Sequence, residues 1–218
     1  MTIKHPNHSS WQQAMHSALA NLAKIDAALD TKIKAYSYPD DRSLPQGYQT
    51  LARIIIGQQI SRAVASHIWE KLGQAGWQDA DTIAERSVAE LKECGLSGRK
   101  AEYLIGAAQA CLSGTLRFAD LPEMSGDDAT AHLVTLRGVG AWTADNYRLF
   151  ALGDMDAWPG NDLALQEAMR RLRQLQERPD HKMMDKLASQ WAPYRGAGAL
   201  MLWHIYAHEV RLATPSAI

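Results

Sequence analysis

Cysteine is almost absent from this chain of 218 residues, which contains only Cys94 and Cys111. Two cysteines cannot build a disulfide framework, and they are too few for a four-cysteine zinc or iron–sulfur site. Long apolar runs are missing as well, because the most concentrated one, Ile54–Ile56, is far shorter than the roughly 20 residues of a membrane-spanning helix. The first residues also lack the apolar core of a signal peptide, so we expect a cytoplasmic protein with no membrane partner.

The chain also lacks an excess of either charge. Its 23 lysine and arginine residues are balanced by 24 aspartate and glutamate residues, which gives a formal net charge of −1. Many nucleic-acid-binding proteins carry a basic excess, so the overall charge argues against that function but leaves room for a local basic patch. Hydrophobic residues make up 46% of the chain, a composition typical of a globular protein with a sizeable core.

Nearly every strong pattern in the sequence has the period of an α-helix, and no convincing pair of alternating strands is found, so the predicted fold class is all-α. The segment 32–47 contains two prolines and is predicted to be an extended connector. A first amphipathic helix, capped by Ser9 or Ser10, is predicted from apolar residues at three- and four-residue steps: Trp11, Met15, Ala18, Leu22, Ile25 and Leu29.

The helical pattern that begins at Tyr48 is interrupted at Gly57-Gln58-Gln59. A glycine inside a helical pattern either allows another helix to pack closely or marks a break that exposes backbone amides, and the pattern leaves both interpretations open. Further helix starts are predicted where a serine precedes the helix, with an acidic residue three positions later in two cases: Ser87 with Glu90, Ser97, and Ser125 with Asp128.

The segment 136–162, LRGVGAWTADNYRLFALGDMDAWPGND, joins two predicted helices through the turn Gly138-Val139-Gly140. Glycine can adopt positive φ, and the backbone amides of such a turn before a helix can bind a phosphate group. The segment ends with Asp162 at the start of the next predicted helix. The order of helix, glycine turn and helix indicates a phosphate-binding hairpin.

Five motifs in one order resemble the helix-hairpin-helix superfamily of DNA glycosylases, and within it the 3-methyladenine DNA glycosylase II group of alkylpurine glycosylases. The motifs are IIIGQQISRAVA, GLSGRKAEYL, LRGVGAWTAD, PGNDLALQ and WAPYRGAGALMLW, and the similarity covers roughly residues 48–206. Five motifs in sequence are much more specific than the glycine turn alone.

This resemblance implies two helical lobes with a catalytic cleft between them. One lobe is expected to comprise 1–47 and 153–218, and the other, which carries the hairpin at 136–142, to comprise 48–152. The resemblance also implies a monofunctional glycosylase of base excision repair that acts as a monomer on double-stranded DNA containing damaged bases. It would flip an alkylated purine, such as 3-methyladenine or 7-methylguanine, into the cleft and hydrolyse its N-glycosidic bond.

The catalytic carboxylate of the family matches Asp162. Cleavage of an N-glycosidic bond builds positive charge on the sugar, and a nearby anion can stabilise that charge and orient or deprotonate a water molecule. Aspartate at the start of a helix is also a common N-cap, so its position alone leaves a structural role open. Asn161 stands where relatives often have another aspartate.

Two tryptophans match pocket positions of the family. Trp142 occupies the position at which the bifunctional endonuclease III branch has a lysine that forms a Schiff base, so the resemblance implies a glycosylase without lyase activity. Trp203 matches an aromatic position in the last helix. An indole face favours a cationic alkylated purine by roughly 0.5–2 kcal/mol, and a place in the core is the alternative for both tryptophans.

The remaining expected contacts are with DNA. Gln59 matches the wedge that fills the space left by the flipped base, and Gln58 and Ser61 lie beside it, although Ser61 is also a typical helix cap. In the hairpin, the phosphate contact is expected from Gly138, Val139 and Gly140, with Arg137 adding a cation. Arg99 and Lys100 begin a helix, an unfavourable position for a cation unless an anion is near, and simple solvated charge is the alternative.

The resemblance implies no cofactor apart from an optional monovalent cation held by the hairpin carbonyls. His204 and His208 have a spacing that metal ligands use, but no acidic partner accompanies them, so no metal site is predicted. Two other functions remain open: a glycosylase for a deaminated or mismatched base, and a non-catalytic hairpin module that only binds DNA.

Overall fold

The computed structural model of the protein describes residues 8–211. Those residues form twelve α-helices and no strand, which confirms the predicted all-α class. The helices are α1 (His8–Ile25), α2 (Ala27–Tyr36), α3 (Tyr48–Gly57), α4 (Arg62–Gln74), α5 (Ala80–Ala84), α6 (Val88–Glu93), α7 (Gly98–Leu112), α8 (Gly126–Leu133), α9 (Ala141–Tyr147), α10 (Leu163–Leu172), α11 (His181–Ala188) and α12 (Arg195–Tyr206). Across this same range, no helix has both the length and the apolar character needed to span a bilayer.

The described helices belong to two compact units. The hairpin unit holds residues 44–152 and therefore α3 to α9, followed by a π-helical turn at Arg148–Leu152. The terminal unit holds residues 8–43 and 153–211, so that it contains α1, α2 and α10 to α12.

The first predicted helix is in fact two helices. The helix is interrupted at Asp26, whose extended backbone ends α1. The Asp26 side chain accepts a hydrogen bond from the Leu29 amide and so caps α2. The apolar period continues across the break, which is why the sequence pattern does not reveal it. α1 already begins at His8, so the predicted caps Ser9 and Ser10 both lie inside the helix.

The predicted extended connector is also shorter than expected. α2 continues to Tyr36, and only the segment after it is extended as far as Gln46. Residues 32–36 contain neither proline nor glycine, and an ion pair between Lys34 and Asp30 at 2.6 Å supports the last turns. The connector therefore begins at Ser37 rather than at Lys32.

In the hairpin unit, the helices next to the predicted site residues are α3, α7 and α9, and buried contacts connect them. α3 is buried along most of its length, and the Tyr48 hydroxyl donates to the carbonyl of Leu104 in α7 at 3.0 Å. The amide of Gly47 donates to the hydroxyl of Tyr147, a fully buried residue of α9, at 2.8 Å. α3, α7 and α9 are thus connected through buried side chains, and the loops at their ends inherit fixed positions.

The terminal unit has a buried ionic cluster around Asp26, which is only 4% exposed. Both guanidinium amino groups of Arg173 donate to its carboxylate, and the Trp191 Nε1–H donates to Oδ2 at 2.7 Å. Burial opposes ionisation of this carboxyl, but the hydrogen bonds from Arg173, Trp191 and the Leu29 amide outweigh it and lower the pKa of Asp26. The cluster links α2, α10 and the 3₁₀ turn at Ser189–Trp191.

Candidate active site

Asp162 is the N-cap of α10. Its Oδ1 accepts hydrogen bonds from the amides of Ala164 at 2.9 Å and Leu165 at 3.1 Å, which satisfies two of the unpaired donors of the first turn. The side chain is half-buried. The capping role that the sequence left open is therefore real, and it holds the carboxylate at a fixed place at the positive end of a helix dipole.

Trp203 of α12 contacts the same carboxylate. Its Nε1–H donates to Asp162 Oδ1 at 3.3 Å, and the indole is half-buried. The guanidinium of Arg42 lies 5.1 Å from the centre of the Trp203 ring. The structure thus brings together two of the predicted site residues, which are 41 positions apart in the chain, and adds Arg42. Sequence reasoning missed Arg42 because it lies in the aperiodic connector, where no pattern marks it.

The turn before Asp162 is fixed by close packing against Trp158. A Cβ atom at Gly160 would lie 2.3 Å from the Trp158 Nε1, so only glycine fits there. That same Nε1–H donates to Asp185 at 3.1 Å, which anchors the indole to α11. The sequence Pro159-Gly160-Asn161-Asp162 is therefore held at both ends, by the indole and by the cap.

The two glycines of the hairpin differ. Gly138 has a φ of +88°, and a Cβ atom there would lie 2.2 Å from the Tyr103 ring, so both the backbone and the packing require glycine. Gly140 is extended with a φ of −99°, and nothing lies within 4 Å of an added Cβ. Val139 is buried, and its amide donates to the Leu136 carbonyl at 3.0 Å, so that amide is already used within the turn.

Arg137 is exposed beside this turn. Its guanidinium forms an ion pair with Glu102 at 3.3 Å and lies 5.9 Å from the centre of the Tyr103 ring. A cation is therefore present at the hairpin as predicted, but a carboxylate neutralises part of its charge. The same tyrosine supports both Gly138 and Arg137.

Trp142 lies in the first turn of α9, half-buried against the core of the hairpin unit. Its carbonyl accepts a hydrogen bond from Asn146 Nδ2 at 2.6 Å. Trp142 therefore belongs to a different unit from Asp162 and Trp203. Its role in the base pocket stays a prediction.

Gln58 turns inward at the end of α3. Its Nε2 donates to the Gly138 carbonyl and to the Thr143 hydroxyl, each at 2.9 Å. The next residue, Gln59, is exposed and has a φ of +58°, a left-handed conformation that is unusual for a residue other than glycine. Ser61 caps α4 by accepting a hydrogen bond from the Val64 amide at 3.3 Å. The wedge position therefore projects from a tightly defined turn.

Arg99 and Lys100 have different surroundings although they are adjacent. Arg99 is exposed. The Lys100 ammonium donates to the carbonyls of Ile56 at 2.7 Å and Gln58 at 2.5 Å, and burial lowers the pKa of this lysine. Among residues 8–211, Lys100 therefore meets no anion but the carbonyl end of α3, which is the negative end of that helix dipole.

The histidine pair of α12 takes part in packing. The rings of His204 and His208 meet edge to face with centres 4.6 Å apart, and His208 stacks on Tyr36 at 4.7 Å. The Nε2 of His204 lies 3.0 Å from the Tyr36 carbonyl. These contacts give the spacing of the pair a structural explanation.

Known proteins match both the sequence and the fold. The model of a family described as HhH-GPD superfamily base excision DNA repair protein matches residues 52–193, which is more than half of the chain. The chain belongs to this superfamily. The resemblance to helix-hairpin-helix DNA glycosylases is thereby confirmed.

Relatives in the family carry glycosylase names. The chain is 33% identical over 165 residues to the putative DNA-3-methyladenine glycosylase YfjP of Bacillus subtilis, across 72% of this chain and 58% of that protein. It is 26% identical over 174 residues to DNA-3-methyladenine glycosylase 1 of Schizosaccharomyces pombe, across 77% of this chain and 76% of that protein. The chain therefore spans little more than half of the Bacillus relative but about three quarters of the yeast one.

Solved structures agree with these relatives. The S. pombe 3-methyladenine DNA glycosylase Mag1 in complex with abasic DNA superposes with a TM-score of 0.80 at 26% identity, over 86% of this chain and 95% of that one. A DNA-3-methyladenine glycosidase from Bacillus halodurans gives a TM-score of 0.73 at 27% identity, over 90% and 91% of the two chains. The family fold therefore extends over nearly all of both solved chains.

Proposed function

We propose that this protein is a monofunctional DNA glycosylase that removes alkylated purines, of the 3-methyladenine and 7-methylguanine type, from double-stranded DNA. Membership of a superfamily of base excision repair proteins and the names of two relatives support this proposal. The observation that carries it is the Asp162 carboxylate, whose Oδ1 accepts three N–H donors while the side chain stays partly exposed.

In the proposed reaction, Asp162 acts electrostatically. The bond between C1′ and the purine nitrogen breaks, and its electron pair leaves with the base, so that a cationic alkylated purine departs as a neutral molecule. Positive charge develops on the sugar, where a fixed carboxylate stabilises it. A water molecule then attacks C1′ and loses its proton to the carboxylate or to solvent, which leaves an abasic site.

Trp203 is proposed to offer its indole face to the damaged base, and the family resemblance suggests the same role for Trp142. An alkylated purine carries a positive charge that an indole face attracts, whereas an undamaged purine does not. The guanidinium of Arg42 lies 5.1 Å from the centre of the Trp203 ring, and this cation–π contact supports the proposal. The pocket would therefore select its substrate by charge in addition to the intrinsic reactivity of the damaged base.

The DNA contacts are proposed to come from the hairpin and from the turn after α3. Within residues 8–211, the amides of Gly138 and Gly140 have no protein acceptor, so both can donate to a phosphate. Gln59 would fill the space left by the flipped base, and Ser61, Arg137 and Arg99 of the same unit would contact the DNA backbone. We also propose that the protein acts on genomic DNA in the cytoplasm, as a monomer.

We further propose that no lyase step follows base removal. Trp142 stands at the position where the lyase branch of the family has its lysine, so no amine is supplied there to form a Schiff base with the sugar. Borohydride reduction in the presence of DNA should therefore trap no covalent adduct.

An optional monovalent cation at the hairpin is compatible with its carbonyls. The carbonyls of Leu136 and Gly138 each accept one hydrogen bond, from the Val139 amide and from Gln58, and a carbonyl oxygen has two lone pairs. A cation held there would reduce the repulsion between the carbonyls and a phosphate. The proposed reaction needs no other cofactor.

The test is the release of methylated bases from alkylated duplex DNA, measured for the unchanged protein and for Asp162→Asn. The amide oxygen of asparagine still caps α10, so the variant should fold, but it loses the negative charge and should release bases on the order of 100-fold more slowly. Asp180→Asn is the matched control, because Asp180 caps α11 in the same way through the Met183 amide at 2.8 Å and lies outside the proposed site. Undiminished release by Asp162→Asn would contradict the assignment of this carboxylate.

A further inference from the structure

The hairpin unit contains a chain of hydrogen bonds that the proposed reaction does not use. It runs from Lys100 in α7, through the backbone and side chain of Gln58 at the end of α3, to Gly138 and Thr143 in the hairpin and α9. We infer that Lys100 is a positioning residue. It acts through Gln58 to hold the turn at Gln58-Gln59 and the hairpin in one arrangement for DNA. This inference rests on the proposed DNA-binding function.

The first step of the chain is the contact between Lys100 and the end of α3. The last carbonyls of a helix have no partner within the helix and form the negative end of its dipole, so an ammonium is favourable there. The Gln58 carbonyl that Lys100 binds belongs to the peptide unit that joins Gln58 to Gln59. Lys100 therefore holds the peptide directly before the exposed Gln59, whose left-handed backbone needs support from its surroundings.

The second step is the side chain of Gln58. Its amide group faces the Gly138 carbonyl, which can only accept, so the nitrogen must point at it. The second hydrogen of the same nitrogen goes to the hydroxyl of Thr143, which is 2% exposed. One amide therefore links the positive-φ glycine of the hairpin to the first turn of α9.

The hydrogen bonds of Lys100 distinguish it from a lysine or arginine that binds a phosphate group directly. Two of its three ammonium hydrogens point to backbone carbonyls, whereas the neighbouring Arg99 is exposed. A cation that contacts a phosphate releases counterions, and its removal lowers the slope of log affinity against log salt by about 0.9. Removal of a positioning residue weakens binding but leaves that slope unchanged.

The experiment compares Lys100→Met with Arg99→Gln in the full chain. Binding to undamaged duplex DNA is measured by fluorescence anisotropy over a series of salt concentrations, and thermal unfolding shows that each variant is folded. Lys100→Met should weaken binding about tenfold with an unchanged slope, the loss expected for a hydrogen bond to a charged group. In base release it should raise KM and leave kcat unchanged, because the Asp162 carboxylate is intact.

A slope reduced by about one in Lys100→Met would make this lysine a direct phosphate contact and would overturn the inference. The inference would also be overturned if Lys100→Met lost no more DNA affinity than Arg99→Gln. Arg99→Gln removes the neighbouring charge but leaves the chain of hydrogen bonds intact. Gln58→Met removes the side-chain hydrogen bonds to Gly138 and Thr143, and it replaces Lys100→Met in the experiment if that variant does not fold. Combined with Lys100→Met, it should add little further loss, because both variants break the same chain.

Hydrogen exchange separates this inference from the proposed function. In the absence of DNA, the Val139 amide, which is bonded within the hairpin to the Leu136 carbonyl, should exchange faster in Lys100→Met than in the unchanged protein. An unchanged exchange rate would overturn the positioning role. If the unchanged protein bound no DNA, the proposed function would fail, and the exchange measurement would still decide the role of Lys100.

Discussion

Asp26 and Asp162, both in the terminal unit, have the same local surroundings in outline. Each caps a helix, α2 or α10, and each accepts an indole N–H, from Trp191 or Trp203. An arginine lies over each of those indoles, with its guanidinium 5.6 Å from the Trp191 ring and 5.1 Å from the Trp203 ring. The roles proposed for the two sites are nevertheless different.

What separates them is burial. Asp26 is 4% exposed, and Arg173 chelates its carboxylate with two hydrogen bonds, so its charge is neutralised inside the core. Asp162 is half-buried, and Arg42 lies over the indole of its tryptophan. A carboxylate that is chelated in the core stabilises the fold, whereas one that faces partly outward can respond to charge on a substrate.

The same substitution at the two sites should therefore change the free energy of unfolding by very different amounts, and this is the largest effect expected. Asp26→Asn leaves the buried Arg173 without a counter-charge and should lower the free energy of unfolding by about 3–5 kcal/mol. Asp162→Asn keeps its cap and should change it by less than about 1 kcal/mol. Urea denaturation of both variants gives the two values. Equal losses would mean that Asp162 is as much a structural residue as Asp26.

Arg173→Met tests the same ion pair from its other side. It leaves the buried carboxylate of Asp26 unpaired, so it should destabilise the protein by a similar amount. A small loss for both Asp26→Asn and Arg173→Met would show that the buried pair contributes little beyond packing.

The pH dependence of stability should also distinguish the two sites. Because the folded protein lowers the pKa of Asp26 below its ordinary value of 3.8, the stability that this carboxylate provides is present above that pH and is lost as the pH falls through the lower, folded-state value. Protonation of Asp26 should lower the free energy of unfolding by less than Asp26→Asn does at neutral pH. The protonated carboxyl keeps acceptor oxygens for its N–H donors.

The measurement is the difference in unfolding free energy between the unchanged protein and Asp26→Asn as the pH is lowered below about 4. Using the difference removes the contribution of other acidic groups, such as Glu167, whose pKa is lowered to about 2, chiefly by its hydrogen bond with Arg170. A difference that stays constant through this range would show that Asp26 does not titrate there.

Local signals in the sequence predicted local structure well. The capping box of Ser87 and Glu90 forms as predicted, and Ser97 and Ser125 cap α7 and α8, because a cap involves residues only three positions apart. The positive φ of Gly138 also follows from its turn. The break at Asp26 was missed because the apolar period of α1 continues into α2.

Contacts between residues distant in the sequence could not be predicted from local patterns. Lys100 was marked as a cation in an unfavourable place, which is a correct physical signal, but its partners lie more than 40 positions away at the end of α3. Arg42 lies in a segment with no period at all. The resemblance to a family selected Asp162 from 24 acidic residues, whereas composition and spacing alone left it indistinguishable from a helix cap.

The smallest expected difference concerns the two indole donors, and it tests whether each aspartate depends on its tryptophan. Trp191→Phe removes a 2.7 Å hydrogen bond from a buried carboxylate and should lower the free energy of unfolding by about 1–3 kcal/mol. Trp203→Phe removes a 3.3 Å bond from a half-buried one, where water can replace the donor, so the loss should stay below about 1 kcal/mol. Base release, measured where both variants are folded, should follow the opposite order, because only Trp203 contacts the proposed catalytic carboxylate. If Trp191→Phe slowed base release as much as Trp203→Phe, orientation of Asp162 by its indole would have no part in the reaction.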